Sequence, residues 1–327
     1  MYTLGIETSC DETSCAVLKK YRVLANTTVS SLREHAKFGG VVPEIATRAH
    51  LKNIDRVLKI CLQRAKVSLD QIDLIACTYK PGLIGALVVG LNFAKALALA
   101  LKKPFVGVNH LHAHLFAPFL NSRAKLEFPF LGLVVSGGHT EIYHVDDFDK
   151  IRIVGQTRDD ACGEAYDKVA RALQLGYPGG PVIDSLFNPR YKNDFPFRCG
   201  RMGFDLSFSG IKTALMYKKM EIERTKKLDK KTKIRLISSF QESVVTTIVN
   251  TILDAAKKSK IKRVVCGGGV VANRYLRSRL AAEATDLQLL IAPLEYAPDN
   301  AAIVAGLGFY LYRRRARESN FNLRAEA

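Results

Sequence analysis

The chain has 327 residues, enough for about two domains with an apolar core that needs no disulfide staples. Hydrophobic residues make up 48% and charged residues 24%, which excludes wholesale disorder. Lys and Arg outnumber Asp and Glu by 49 to 31, a net charge of +18. That surplus points to an anionic partner, nucleic acid before a membrane surface, with a Lys-rich thermophile-type surface as the plain alternative.

Met1 to Glu7 carries neither the basic region nor the apolar core of an export signal. The seven cysteines are odd in number and never spaced C-x-x-C, as expected of reduced thiols in a cytoplasmic protein. Strand-like runs occupy Tyr2 to Glu7, Ser14 to Leu18 and Arg22 to Val29, with a polar turn between the first two. A helix is predicted from Pro43 to about Ala65, where Ile45, Leu51, Ile54, Val57, Leu58 and Cys61 form an apolar stripe. A strand at Leu74 to Thr78 leads to the apolar stretch Leu83 to Leu101. Its length would just span a bilayer, but Gly85, Gly90, Asn92 and Lys95 fit a buried helix of an α/β protein better, and no membrane role is expected. A strand at Phe105 to Val108 follows.

The second half repeats the opening, with strands at Leu131 to Val135 and Glu141 to Val145 around the turn Ser136-Gly137-Gly138-His139-Thr140. Helices are predicted at Ala161 to Leu175, Phe208 to Met220 and Ile234 to Lys258. The strand Arg263 to Cys266 runs into Gly267-Gly268-Gly269 and a helix from about Asn273, and a last helix runs from Pro298 to about Arg315. Strands alternating with helices predict an α/β fold. The domain boundary is placed near residue 109, with the last helix returning to the first half.

Three glycine turns could cradle phosphate: Ser136 to Thr140, the rigid loop Tyr177 to Pro181, and Gly267 to Gly269. Each could also be no more than a tight turn. Neither a P-loop nor G-x-G-x-x-G occurs. His110 and His114 fall one turn apart if a helix begins near Asn109, with His112 pointing elsewhere. The pair suits a metal, with Asp299 as a candidate third ligand. Two imidazoles and a carboxylate with open positions suit iron(II) or zinc. The alternative is polar or capping histidines. Leu111 stands where a zincin needs its glutamate, which argues against a protease. Asp167 is either a ribose acceptor or a solvated partner of Arg171. Basic runs at 218–235, 257–263 and Arg313, Arg314, Arg315 and Arg317 fit a phosphate backbone, or merely solvated faces.

Gly5 to Thr13, Gly39 to Glu44, Pro81 to Gly85, His110/His114, Val135 to Thr140, Tyr177 to Pro181, Phe208 to Thr213 and Gly267 to Val270 with Asn273 occur in order. Together they resemble the bacterial TsaD family across nearly the whole chain. The resemblance implies an actin/Hsp70/sugar-kinase-like (ASKHA) α/β fold of two duplicated domains with the ligand in the cleft between them. The expected lobes are residues 1–109, completed by about 298–327, and 110–297, the second carrying the metal and nucleotide loops. The implied activity is transfer of the threonylcarbamoyl group from threonylcarbamoyl-AMP to N6 of adenosine 37 in tRNAs that read codons starting with A. The family's single Fe(2+) or Zn(2+) has ligands matching His110, His114 and Asp299. Its substrate contacts match Val134, Val135, Ser136, Gly137, Gly138, Asp167, Gly180, Asp184 and Asn273. A TsaB-like paralogue and a TsaE-like ATPase are the implied partners. One departure is Pro298 where the family has threonine, which puts the positioning of Asp299 in question. Glu12, in the first turn, is a candidate polar group near the transfer step, or a turn-capping carboxylate.

Overall fold

A computed structural model describes residues 1–315 and 320–327, with Arg315 by its backbone alone. Arg317, assigned to the last helix, lies outside the described residues. The chain forms two compact units, residues 1–126 with 292–327, and residues 127–291.

In the first unit β1 (Tyr2–Glu7), β2 (Glu12–Lys19) and β3 (Arg22–Ser30) form an antiparallel meander. The short α1 (Leu32–Ala36) precedes α2 (Pro43–Ala65). β4 (Leu74–Lys80) then pairs parallel with β1. After α3 (Ile84–Leu101), β5 (Phe105–Asn109) pairs parallel with β4 and runs directly into α4 (His110–Phe116). Period-two alternation sorts β1: Leu4 and Ile6 enter the core with Val57 and Leu58 of α2 and Leu91 and Ala94 of α3.

In the second unit β6 (Phe130–Val135), β7 (Thr140–Asp147) and β8 (Lys150–Gln156) form another antiparallel meander. Helices α5 (Cys162–Ala172) and α6 (Gly179–Leu186) follow, then the small hairpin β9 (Gly200–Met202) and β10 (Asp205–Ser207). Next come α7 (Ser209–Glu223), α8 (Lys230–Ser259), β11 (Arg263–Gly267), α9 (Arg274–Glu283) and β12 (Gln288–Ile291). Here β11 pairs parallel with both β6 and β12. Finally α10 (Ala301–Arg315) packs on β1, β4 and β2 of the first unit. The two five-stranded sheets have the same order: the first strand at the centre, the next two antiparallel on one side, the last two parallel on the other. The duplication is thus one of topology.

Several expectations need correction. The boundary near 109 falls between β5 and α4, inside the first unit, which runs on to residue 126. β5 and α4 are continuous in the chain, and α4 packs against α10. His110 and His114 therefore belong to the first unit and not to the lobe of residues 110–297. The loop expected at Tyr177 to Pro181 instead opens α6 at Gly179. Adjacent glycines are poor helix formers, but the Asp167 carboxylate accepts the Gly179 N–H at 2.6 Å and Ile183 is buried. The stretch expected as a buried helix, α3, buries only one side; Ile84 and Leu99 are 52% and 62% exposed. By length and composition it is also the described helix that could cross a membrane. All seven cysteines are free thiols.

Candidate functional site

The first turn, between β1 and β2, is held from α2. His50 is fully buried; its Nε2 donates to the Cys10 carbonyl at 2.9 Å and its Nδ1 accepts from the Thr13 hydroxyl at 2.8 Å. Burial pushes its pKa below the usual value, with the Cys10 carbonyl acting in the opposite direction. A depressed histidine pKa means the unfolded chain binds the proton better. Its contribution to stability is therefore complete above about pH 6.5 and is lost as pH falls below it. Between pH 7 and pH 5 the wild-type Tm is expected to fall more steeply than that of His50→Gln.

The metal-ligand candidates are set by two helix starts. The Asn109 side chain accepts from the N–H groups of Leu111 and His112 at 2.9 and 3.1 Å and so starts α4 immediately after β5. The i,i+4 spacing then stacks His110 and His114 with ring centroids 4.7 Å apart. At α10, Asn300 supplies the cap: its Oδ1 accepts from Ala302 N at 3.0 Å, and its Nδ2 donates to the Pro298 carbonyl at 2.8 Å. This cap fixes the backbone on both sides of Asp299, with Pro298 in the place of the family's threonine. The Ala301 N–H is taken by Ser14 Oγ at 3.0 Å.

Asp299 Oδ1 lies 3.1 Å from His114 Nε2 and 3.4 Å from His110 Nε2. All three residues belong to the first unit. Ligands at about 2.1 Å from one ion are spaced by about 3.0 to 3.4 Å in octahedral or tetrahedral arrangements, so the donor set fits a divalent cation. Among the described residues this is the one group of three such side chains with that convergence. Burial works against ionisation of Asp299, but the two imidazoles outweigh it and hold the carboxyl well below its usual range. Burial likewise opposes charge on His110, yet Asp299 and Glu7 raise its pKa well above normal. His114 is shifted down, chiefly by burial. His112 is not in the group, and burial together with Lys80 lowers its pKa to about 4.

Glu12 starts β2, outside this ligand set, and accepts from Ser30 Oγ at 3.2 Å. Burial, then Asp299 and Asp11, push its pKa up to about 10. A carboxyl in that environment stays protonated near neutral pH and acts as a hydrogen-bond donor rather than as a base.

The remaining candidates lie in the second unit, at the end of β6, on α5 and α6, and in the turns beside them. Val134 and Val135 end β6, and Ser136 closes the turn by donating its N–H to the His139 carbonyl at 2.8 Å. Gly137 and Gly138 have nothing within 4 Å of where a Cβ would stand. Gly163 of α5 touches this turn so closely that its Cβ would lie 2.8 Å from Gly137 Cα. Gly268 takes φ +96° against the Val135 carbonyl, which only glycine accommodates. Gly180 is open like Gly137. Asp167 spends one oxygen on capping α6, a contact that neither sequence alternative anticipated. Asp184 accepts from Arg274 Nε at 2.9 Å. Asn273 caps α9 through Leu276 N at 2.8 Å and donates to Gln241 Oε1 at 3.0 Å.

Sequence reasoning missed Glu7, Thr78, Asn300, Gln241 and Arg274. For Glu7 there was a signal, a carboxylate ending an otherwise apolar strand; the others depend on contacts between distant segments.

Residues 22–306 match the family TsaD, described as tRNA N6-adenosine threonylcarbamoyltransferase. The protein of that name from Thermosipho africanus (strain TCF52B) is 47% identical over 319 residues, 96% of this chain and 95% of that protein. Among solved structures, full-length HypF in its phosphate- and nucleotide-bound form aligns with TM-score 0.60 at 13% identity, over 96% of this chain and 46% of that one. The activator of the 2-hydroxyisocaproyl-CoA dehydratase from Clostridium difficile, with bound ADPNP, aligns with TM-score 0.51 at 14% identity, over 98% of each chain. These likenesses bear on the fold, which is of the actin/Hsp70/sugar-kinase-like type. From the family match and the near full-length identity, the chain belongs to the TsaD family of tRNA N6-adenosine threonylcarbamoyltransferases.

Proposed function

We propose that the chain transfers the threonylcarbamoyl group of threonylcarbamoyl-AMP to N6 of adenosine 37, in tRNAs reading codons that start with A, and releases AMP. The observation that carries the reading is the convergence of His110, His114 and Asp299, 185 residues apart in sequence for the last two, in a chain of this family. The donor is a mixed anhydride, so the step needs no ATP. The N6 nitrogen forms a bond to the carbamoyl carbon, the bond from that carbon to the phosphate oxygen breaks, and N6 loses a proton. That proton goes to solvent or to the released AMP phosphate, and Glu12 is the proposed polar group near the transfer step.

His110, His114 and Asp299 would hold Fe(2+) or Zn(2+), which supplies Lewis-acid polarisation of the acyl oxygen. Val134, Val135, Ser136, Gly137, Gly138 and Gly180 form the proposed seat of the AMP half, with Asp167, Asp184 and Asn273 as its polar contacts. The open space over Gly137, Gly138 and Gly180 supports this, because a side chain there would fill the seat. Because N6 of adenosine is a weak nucleophile, positioning is expected to supply much of the rate.

A TsaB-like paralogue and a TsaE-like ATPase in the cytoplasm belong to the same reading. Exposed Leu51, Ile84 and Val88 on α2 and α3 support a protein partner. For tRNA, the exposed Lys226, Lys227, Lys230 and Lys231 around the start of α8 are the proposed phosphate contacts. Reversing those four charges is expected to weaken tRNA binding at least tenfold and to flatten its salt dependence by about three to four log units per log unit of salt. Unchanged binding in a filter or anisotropy titration would reassign the run to a solvated face.

The decisive assay mixes the protein with tRNA and threonylcarbamoyl-AMP, with and without the partner subunits, and digests the product to nucleosides for mass spectrometry. Formation of N6-threonylcarbamoyladenosine supports the reading. Its absence in every mixture, with intact donor, refutes it.

A further inference from the structure

We propose that Glu7 is the positioning residue of the metal centre, its buried carboxylate fixing the His110 ring so that Nε2 is the ligating atom. This rests on the metal reading of His110, His114 and Asp299. Glu7 closes β1 and is fully buried. Its Oε1 accepts the Ser9 N–H at 2.5 Å. Its Oε2 accepts from the Thr78 hydroxyl at 2.6 Å and faces His110 Nδ1 at 2.9 Å. Ser9 Oγ, at 3.3 Å from the same nitrogen, is the more distant neighbour.

An ionised carboxylate only accepts, so the nitrogen that faces it carries the proton. In a neutral imidazole the lone pair then lies on the other nitrogen, Nε2, the atom turned toward Asp299. Carboxylate partners of this kind orient metal-bound histidines and raise their basicity. Each side of the arrangement is anchored: Ser9 offers a backbone group, Thr78 is buried in β4, and His110 sits in the capped first turn of α4. His114 is different. Its Nδ1 is buried and has no hydrogen-bond partner among the described residues. One imidazole is locked by a carboxylate and the other is held by packing, which assigns the orienting task to Glu7. A carboxylate that merely tied β1 to β4 would need Ser9 and Thr78 alone.

Glu7→Gln keeps the shape but turns one end into a donor. Against three donors, the amide must set its NH2 toward at least one of them, either losing an anchor or forcing the His110 proton onto Nε2. Metal-free wild type, Glu7→Gln, Thr78→Val and Asp299→Ala are titrated with zinc against a fluorescent chelator, and the Tm of each metal-free protein is recorded. Glu7→Gln is expected to bind zinc about 10- to 100-fold more weakly, with a metal-free Tm lowered by loss of the buried Glu7–His110 pair, and Thr78→Val within about threefold of wild type. Wild-type zinc affinity in Glu7→Gln, with affinity lost in Asp299→Ala, overturns the role of Glu7. Wild-type affinity in both removes the metal reading itself. A second readout needs no variant: in zinc-loaded wild type labelled with 15N-histidine, His110 is expected to carry its proton on Nδ1. A proton on Nε2, or zinc on Nδ1, overturns the proposal even if Glu7→Gln does not fold.

Discussion

Replacing His110 by alanine is expected to abolish tight metal binding and to lower transfer by about three orders of magnitude, the scale of several kcal/mol of Lewis-acid stabilisation. Two of the three converging atoms remain, but His114 and Asp299 alone would be an incomplete ligand set. His110 also supplies one of the donors that satisfy the buried Glu7 carboxylate, so the variant is expected to be less stable as well. His114→Ala spares Glu7, because His114 Nδ1 has no hydrogen-bond partner among the described residues, while it takes one imidazole from Asp299 just as His110→Ala does. His112→Ala is the control on the same short helix: it lies outside the group and should keep near-normal metal content and activity. Metal analysis of the purified variants, beside nucleoside mass spectrometry of their product, checks this. Equal metal content in His110→Ala and His112→Ala would remove the assignment.

Gly5→Ala is the second large effect. A Cβ on Gly5 would press on the Ala301 carbonyl and stand 2.8 Å from Ala305 Cβ and 2.9 Å from Ala305 N. Those atoms are helix backbone and a fully buried alanine, which cannot swing aside as a long side chain would. Overpacking of this kind costs about 1–3 kcal/mol, and more where backbone must move. A fall in Tm of several degrees is expected. Because Ala301 lies two residues after Asp299, displacing α10 should also weaken metal binding. Gly137→Ala gives the opposite pattern, since its Cβ would meet nothing within 4 Å. Its Tm should stay at the wild-type value while affinity for a threonylcarbamoyl-AMP analogue falls. Calorimetry and ligand titration on both variants distinguish a packing glycine from a binding glycine, and matching behaviour would undo that distinction.

Much of this was legible in the residues. The meander of β1 to β3, the long helix from Pro43 to Ala65 and the one-turn spacing of His110 and His114 follow from local rules of period, turn and capping. The places where reading failed share a physical cause. α6 opens with two glycines and exists because a carboxylate from α5 meets its first N–H. β8 and β12 were not foreseen. β8 buries only Gly155 and so lacks a buried face to set its alternation, and the four-residue β12 is completed by β11 across the whole of α9. The boundary near 109 was drawn where β5 ends, but α4 stays with the unit that α10 completes.

By itself the sequence determined the local elements, the basic surface, the glycine turns and, through ordered motifs, the family. Only the tertiary structure decided that Asp299 meets two histidines 185 or more residues away, that Asn300 caps the start of α10 beside it, and that Glu7 faces His110. Local preferences are set by neighbours along the chain. A ligand sphere instead depends on where distant helix starts are brought to rest, and that is settled by the packing of α10 on β1 and β4.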